Sequence, residues 1–595
     1  MRRSSALRVN NGQFGSRFRA RRLTLVALTA VVGALLLSAQ AASGENNGLA
    51  TSPLMGWSSW SFIRRDPTAV NIEAQAQALV SSGLARVGYD YVNVDDYWYQ
   101  CPGSQGPAVD ANGRWVANTT EFPNGIAAVA SYVHNLGLKF GIYVTPGVSK
   151  QAVVQDSPIL GTNDTVDDFA TTRSEANYNC GGMVGIKYSD PGAQAFINSW
   201  ADEFASWGVD YLKLDGVGQS DVADVRAWST ALRQSGRPIA LELSNNLSVS
   251  DARTWRSLAN GWRIDLDIEC NCGANGSSYP LADWSKVVQR FDSAGRWQPY
   301  AGPGKGGGRG WNDLDSVEVG NGPTDDGLTT NEEQSQLSLW SLASSPLILG
   351  TDLTNLNATD LDLLLNTNVI AVDQDAIPGD QLINNGDEQV FDKRQGNGQF
   401  VIGVFNEDST ASHTWSVPLA QAGISGTASL TNLWSGTSLG TASMLTTTVP
   451  AGGVTLVRAT PTAGTGGTGE LVDQRSRKCL DITGVSYLPG TRAEIWTCNG
   501  GLNQQFTPTS SGELRTMGAT ECLDVTDAST APGTKVELRP CNGRANQRWT
   551  VNSNGTIVGS QSGLCLNVTG ALTSNGAPVE TWPCNGGASE QWSHP

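Results

Sequence analysis

Five short apolar runs in the first 270 residues end in polar residues, and four of them deliver carboxylates: Asp95 and Asp96, Asp215, Glu242 and Asp267. The runs are Tyr91–Asp96, Lys139–Tyr143, Asp210–Asp215, Ile239–Ser244 and Arg263–Asp267. A strand buried on both faces is apolar through its body, and in a parallel barrel it offers functional groups only at its C-terminal end. Carboxylates repeated at that position predict a barrel-mouth site that works by acid catalysis.

Helical stretches alternate with these runs over residues 50 to 378, as a parallel α/β fold requires. The clearest begins with Asp190 as cap and Pro191 at the first helical position, then buries Phe196, Trp200, Phe204 and Trp207 and closes at Gly208. About eight such strand and helix units favour a (β/α)8 TIM barrel over an open sheet.

Strand alternation assigns side chains to faces. Tyr211, Lys213 and Asp215 point one way, Leu212 and Leu214 the other. The Lys213 charge beside Asp215 should favour an ionised nucleophile. Read as one strand, Arg263, Asp265 and Asp267 share a face, with Asp267 at the reachable end. Glycoside hydrolysis needs one carboxylate to attack the anomeric carbon and one protonated partner to release the departing oxygen. Asp215 suits the first role; Asp267 suits the second, with repulsion and partial desolvation expected to raise its pKa. Three histidines, His134, His413 and His594, follow no carboxylate-bearing strand, which argues against a Ser-His-Asp site and a histidine-ligated zinc. No metal or cofactor is expected.

At 595 residues the chain exceeds one core, and two to four domains are expected. Only 16% of residues are charged and the net charge is −17, a balance that repels nucleic acid and anionic membranes and suits a neutral substrate. Trp, at 19 residues, outnumbers both Tyr and Phe, which fits stacking on sugar faces as well as core packing. Arg17, Arg19, Arg21 and Arg22 precede an apolar run from Leu23 to Leu37 and small residues through Ala42, the flanks of a cleaved signal peptide over residues 1–42. Both the general and the twin-arginine export routes stay open. A secreted, extracellular protein with disulfides, and no membrane association once the leader is removed, is the expectation.

Cys479, Cys522 and Cys565 lie 43 residues apart, as do Cys498, Cys541 and Cys584, so three copies each hold a pair of cysteines 19 apart. Each copy has Cys-Leu-Asp/Asn-Val/Ile-Thr at its first cysteine and Cys-Asn-Gly at its second. This repeat resembles the ricin-B-type β-trefoil, a carbohydrate-binding module, over about residues 470–595. The resemblance implies bridges Cys479–Cys498, Cys522–Cys541 and Cys565–Cys584. It also implies sugar contacts by Asp481, Trp496 and Asn503 in the first copy and Asp524 in the second, where Arg539 replaces the stacking aromatic. The third copy keeps Trp582 but has Asn567 and Ser589 at the hydrogen-bonding positions. Ahead of the trefoil, residues 459–469 form a small-residue linker, and residues 379–458 alternate as short strands of an antiparallel, sandwich-like β-domain packed on the catalytic barrel of residues 48–378.

Seven motifs in order, Met55-Gly-Trp-Ser-Ser-Trp60, Val94-Asp-Asp96, Gly141-Ile-Tyr143, Leu212-Lys-Leu-Asp-Gly216, Trp262-Arg263 with Asp267-Ile268, Trp311-Asn-Asp-Leu-Asp315 and Ser344-Ser-Pro-Leu-Ile-Leu-Gly350, resemble glycoside hydrolase family 27, the α-galactosidase family. The resemblance implies a retaining mechanism with Asp215 as nucleophile and Asp267 as acid/base. It implies a galactose pocket built from Trp60, Asp95, Asp96, Tyr143, Cys180, Lys213 and Arg263, acting on galactose-containing oligo- or polysaccharides. Two departures bear on specificity. Ser244 stands where the family's strand carries a glutamate toward the 2-hydroxyl, with Glu242 on the same face one layer deeper. Val217 replaces a cysteine, leaving Cys180 to pair among Cys101, Cys270 and Cys272. An α-galactosidase is the first reading. A β-L-arabinopyranosidase, an α-N-acetylgalactosaminidase resting on Ser244, and a catalytically inactive lectin are the alternatives.

Overall fold

Eight parallel strands follow one another between residues 55 and 349: β1 (Met55–Ser58), β2 (Tyr91–Val94), β3 (Lys139–Val144), β4 (Tyr211–Asp215), β5 (Ala240–Ser244), β6 (Gly261–Arg263), β7 (Arg309–Asp313) and β8 (Leu347–Leu349). Each pairs with its sequence neighbour through β7, and β1 also pairs with β8. The circle closes through a parallel bridge between Val317 and Leu349, with the Val317 N–H donating to Ile348 O at 2.8 Å. The computed structural model describes residues 47–269, 283–303, 309–322, 327–395, 399–422, 424, 427–461, 469–509, 511–552 and 554–593. The leader, His594 and the Cys270/Cys272 pair lie outside the described residues.

Helices α1 (Ala69–Ser81), α2 (Ile126–Asn135), α3 (Pro191–Trp207), α4 (Val222–Gln234), α5 (Ala252–Arg256), α6 (Trp284–Trp297) and α7 (Thr330–Ala343) alternate with the strands. Helix α3 matches its sequence signature. The Asp190 carboxylate accepts from the Gly192 N–H at 3.0 Å, and Gly208 ends the helix in the left-handed region at φ 87°. Its buried face carries Phe196, Trp200 and Phe204, the last two packed on Trp228 of α4, while Trp207, expected on the same face, is only half-buried.

Two further helices, α8 (Ala358–Leu364) and α9 (Thr367–Gln374), lead into an antiparallel domain. Its strands are β9 (Asp380–Asn385), β10 (Glu388–Arg394), β11 (Phe400–Asn406), β12 (His413–Pro418), β13 (Ala428–Asn432), β14 (Ser438–Ala442), β15 (Met444–Val449) and β16 (Val454–Pro461). They form a six-stranded sheet in the order β9-β10-β11-β16-β13-β14 and a two-stranded ribbon of β12 with β15. Val390, Ile402, Val404, Val417, Leu445 and Val457 fill the space between them. On the other face of the larger sheet, Phe391 and Phe405 pack on Phe291 of α6, fixing the domain to the barrel.

The C-terminal repeat pairs β17 (Cys479–Ile482) with β18 (Ala493–Trp496), β19 (Glu521–Val525) with β20 (Thr534–Pro540), and β21 (Cys565–Val568) with β22 (Ala577–Trp582). Leu480, Leu523 and Leu566 occupy equivalent positions in one shared core. The three expected bridges, Cys479–Cys498, Cys522–Cys541 and Cys565–Cys584, are present, with Cα separations of 5.0 to 5.1 Å. Each copy spans too few residues to bury its own apolar strand face, and the shared core resolves that deficit.

Candidate active site

Strand ends deliver the predicted carboxylates to one end of the barrel. Asp215 is the last residue of β4, in register with Ser244 at the end of β5, and one layer below them Lys213 is in register with Glu242. Asp95 and Asp96 follow β2 directly and are buried. Tyr211 and Lys213 line the barrel pocket, as alternation predicts, together with Trp60, Asp95, Glu242, Ser244, Arg263, Asp313 and Asp315. The cavity volume is about 50 Å³. Gly261 makes room for Glu242: a Cβ there would lie 1.9 Å from Glu242 Oε2.

Lys213 Nζ donates to Asp95 Oδ2 at 2.7 Å, and the Asp96 N–H donates to Asp95 Oδ1 at 2.8 Å. Asp96 accepts from the Tyr97 N–H at 2.7 Å and the Tyr99 hydroxyl at 2.5 Å, while its second oxygen is buried without a partner among the described residues. The Tyr143 hydroxyl is likewise buried and unpartnered. Asn93 Oδ1 and Glu242 Oε1, which line the pocket, also lack a partner among the described residues; native structures pair nearly all buried polar groups, so such atoms mark where a polar ligand completes the set. Burial pushes Asp96 up to about 7 against the opposing pull of Tyr99.

The two candidate catalytic carboxylates differ in setting. Burial raises Asp215; Lys213, Arg263 and the Ser244 hydroxyl oppose this without overcoming it. Lys213 thus favours the ionised Asp215 as the sequence predicts, but burial outweighs it, and the lysine's short contact goes to Asp95. Asp267 departs further from expectation. Burial acts to raise it, but Arg263, ion-paired with it, and Lys213 together outweigh burial and hold it below its ordinary value. Tyr178, Lys213 and Arg263 each feel both Asp215 and Asp267, and Lys213 and Arg263 themselves line the barrel pocket, so the two carboxylates act on the same pair of pocket cations.

The segment carrying Asp267 is also not the strand read from sequence. Strand β6 ends at Arg263, and Asp265 turns away to accept from the Ser293 hydroxyl and pair with Arg290 at 3.4 Å, both on α6. Its other oxygen takes the Leu266 N–H at 2.8 Å, which bends the chain. Asp267 reaches the site from this turn. Arg263 Nη1 donates to Asp315 at 2.9 Å, and Asp315 takes the Ile268 N–H at 2.5 Å, so the turn is pinned from the segment just past β7.

Cys180 pairs with Cys101 at a Cα separation of 5.3 Å. The Asn177 side chain accepts from the Cys180 N–H at 2.7 Å and donates to the Tyr99 hydroxyl at 2.8 Å, so the bridged loop buttresses Asp96. Trp60 is half-buried, and its indole N–H donates to Glu269, which Arg64 also binds. Burial pushes Glu269 up to about 8 despite Arg64. Tyr99, Asn177, Tyr178, Arg64 and Glu269 carry no motif spacing; only Glu269, two residues past Asp267, had a positional signal.

In the trefoil, Asp481 is buried and accepts from Asn503 and Gln504 at 2.8 Å each; Asp524 accepts from Asn546 and Gln547 at 2.8 and 2.9 Å. Burial pushes Asp481 up to about 6. Trp496 and Trp582 stand 41% exposed, equally open to a ligand. Two groups of described residues bring three ligand atoms within 4.8 Å, Glu470 with Cys479 and Cys498, and Asp387 with Asp408 and His413. The first has both cysteines in a bridge, and neither adjoins the barrel pocket.

Family models match three successive parts of the chain. Residues 52–175 and 176–375 match "Alpha galactosidase A", residues 385–459 its "C-terminal beta sandwich domain", and residues 467–592 the "Ricin-type beta-trefoil lectin domain". The chain is 31% identical over 454 residues to alpha-galactosidase A of Cellvibrio japonicus, covering 72% of this chain and 97% of that one. It is 35% identical over 352 residues to alpha-galactosidase 2 of Arabidopsis thaliana, covering 58% and 73%. Among solved structures, a GH27 β-L-arabinopyranosidase from Geobacillus stearothermophilus superimposes with a TM-score of 0.64 at 28% identity, covering 70% of this chain and 98% of that one. The chain therefore belongs to the GH27 alpha-galactosidase family of glycoside hydrolases and carries a C-terminal ricin-type β-trefoil.

Proposed function

We propose that the protein is a secreted, retaining exo-glycosidase that releases terminal α-D-galactosyl residues from oligo- or polysaccharides, with the trefoil holding the polymer. The observation that carries this reading is the pair of carboxylates sharing Lys213 and Arg263, one deep at the end of β4 and one on the turn beyond β6. Asp215, the deeper, attacks the anomeric carbon. Asp267, more exposed at the mouth, faces the departing group, gives its oxygen a proton, and then takes one from the water that opens the glycosyl ester.

Burial raises Asp215, while Arg263 and Lys213 hold Asp267 below its ordinary value, shifts opposite in direction to those the first step favours. Substrate resolves this by drawing on Arg263. A sugar hydroxyl that engages the guanidinium weakens its hold on Asp267, whose pKa then rises. Asp96 and Tyr143 supply the unpaired polar atoms for further hydroxyls, and Trp60 covers the apolar sugar face. Asp95, Lys213 and Ser244 complete the pocket; Cys180 contributes through its bridged loop.

Similarity to the Geobacillus enzyme favours β-L-arabinopyranosidase as the second reading, the same reaction on a ring without its hydroxymethyl group. The short side chain of Asp96 leaves more space at that end than a glutamate would. Initial rates on aryl α-D-galactoside, β-L-arabinopyranoside and α-N-acetylgalactosaminide decide between them. The galactoside should be fastest; a faster arabinopyranoside would transfer the assignment.

Export is supported by four bridges among the described residues, a bond type that persists in oxidising compartments. No helix of the described residues is long and apolar enough to cross a membrane.

A further inference from the structure

The trefoil's three copies build three equivalent clefts, each from a glycine turn of one copy and a strand of another. The turns are at Gly490, Gly533 and Gly576, 43 residues apart. Trp496 packs 3.9 Å from the point where a Gly576 Cβ would stand, and Trp582 packs 3.6 Å from the same point at Gly533. At Gly490 the equivalent residue is Arg539, 3.8 Å away. Two clefts therefore present an indole to a sugar face, and the third presents a guanidinium.

The third cleft gathers more positive charge. Lys535 reaches it from β20, its Nζ donating to Gly490 O at 3.1 Å, and Arg492 lines it from the first copy. Arg253, on barrel helix α5, lines it from the opposite side, and its exposed guanidinium makes no hydrogen bond or ion pair among the described residues. The Arg492 guanidinium, however, donates to Gly576 O at 2.9 Å and pairs with Glu494 at 2.9 Å, so its charge lies toward the Trp496 cleft, and the Gly490 cleft keeps Lys535, Arg539 and Arg253, with Glu537 shared by Lys535 at 2.7 Å and Arg539 at 2.8 Å. In a chain of net charge −17 this local excess is an inversion of the global sign. The opening, about 540 Å³ in volume, lies between the barrel and the trefoil and shares no lining residue with the barrel pocket.

From this juxtaposition we propose that the cleft binds a carboxylate-bearing sugar, a uronate residue within an acidic polysaccharide. Guanidinium groups match a carboxylate bidentately, and the uncommitted Arg253 gains a partner only when an anion enters. The Leu488-Pro489 turn supplies an apolar surface beside the cations, which suits a pyranose ring better than a bare inorganic anion. The proposal rests on the reading of the trefoil as a polysaccharide holder and narrows its ligand: neutral sugar at the two tryptophan clefts, acidic sugar at the arginine cleft.

Affinity electrophoresis of the full chain through gels holding polygalacturonate, a neutral galactan or a sulfated galactan tests it. Polygalacturonate should retard the wild type, and raised salt should weaken the retardation. Arg253→Ala and Arg539→Ala should each weaken it about tenfold, the cost of losing one charge-assisted pair, while retardation by neutral galactan persists. Trp496→Ala should do the opposite. Polygalacturonate that fails to retard the wild type, or retards both arginine variants equally well, overturns the proposal. Stronger retardation by the sulfated galactan overturns the carboxylate assignment. Loss of neutral-galactan retardation in the wild type instead defeats the trefoil's neutral-sugar reading, independently of the arginine arm. Unchanged thermal melting of the variants confirms that surface chemistry, not folding, is being read.

Discussion

Lys213 Nζ lies 2.7 Å from Asp95 Oδ2, joining the strand that ends in Asp215 to the loop that carries the Asp95-Asp96 pair. Both groups are largely withdrawn from water, so each stabilises the other's charge. Removing the lysine leaves Asp95 buried without its counter-ion and releases the link between the proposed nucleophile and the sugar-binding loop. Lys213→Met should lower kcat/KM about 100-fold, in line with a charged hydrogen bond of about 1.5–3 kcal/mol. Steady-state kinetics on an aryl α-galactoside read it, and near-normal turnover would remove Lys213 from the site.

Asp215 and Asp267 should separate by their response to the leaving group. Asp215→Asn should lose about 10⁴-fold or more on every substrate, because the bond-forming atom is gone. Asp267→Ala should lose about 10²–10⁴-fold on natural glycosides but little of the first step on aryl glycosides with acidic phenols. Equal losses for Asp267→Ala on both substrate types would contradict a proton-donor role.

Arg263 should control the pH profile. It lowers both Asp267 and Asp215, so Arg263→Met, which removes the cation, raises both. Both limbs of the kcat/KM profile should therefore move to higher pH, together with a rise in KM from the lost sugar contact. A profile that stays in place while activity falls would show that Arg263 binds sugar without governing the proton.

Stability should fall with rising pH because of carboxyls buried where the sandwich meets the trefoil. Burial pushes Asp392 to about 8 and raises its cross-strand partner Asp380 and trefoil Glu521. A carboxyl whose folded pKa exceeds its unfolded value holds more protons in the native state, so stability drops from about pH 4 up to the folded pKa. Melting temperature should decline across that window, and Asp392→Asn should flatten the decline. A flat wild-type curve would argue that these carboxyls are solvated.

Retention on neutral polysaccharide should depend on both exposed tryptophans. Trp496 and Trp582 have the same 41% exposure, although Asp481 with Asn503 backs the first and Asn567 with Ser589 the second. Trp496→Ala should cost more than Trp582→Ala, and the double variant should lose retention. Unchanged retention in the double variant would exclude stacking at these clefts.

The strands were legible because a buried parallel strand leaves an apolar run of defined length, and Tyr211 and Lys213 fell on the predicted face because alternation is set by backbone geometry. Asp267 was found as a residue but not as a geometry. Its run continues in sequence past Arg263, yet the Asp265 side chain captures the Leu266 N–H and ends the strand. Its protonation was misread for a related reason, since pairing with Arg263 depends on where a turn places a guanidinium. The Cys180-Asn177-Tyr99-Asp96 relay left no trace because it crosses loops distant in sequence. Burial of Asp481 under Asn503 and Gln504 is likewise a tertiary outcome, invisible to the repeat that locates all three.

The account turns on a covalent glycosyl-enzyme at Asp215. Incubation with a 2-deoxy-2-fluoro-galactosyl donor bearing a good leaving group, followed by proteolysis and mass spectrometry, should find one galactosyl adduct, on the peptide containing Leu212-Lys213-Leu214-Asp215-Gly216. An adduct on the Asp267 peptide, or inversion at the anomeric carbon with no adduct, would contradict it.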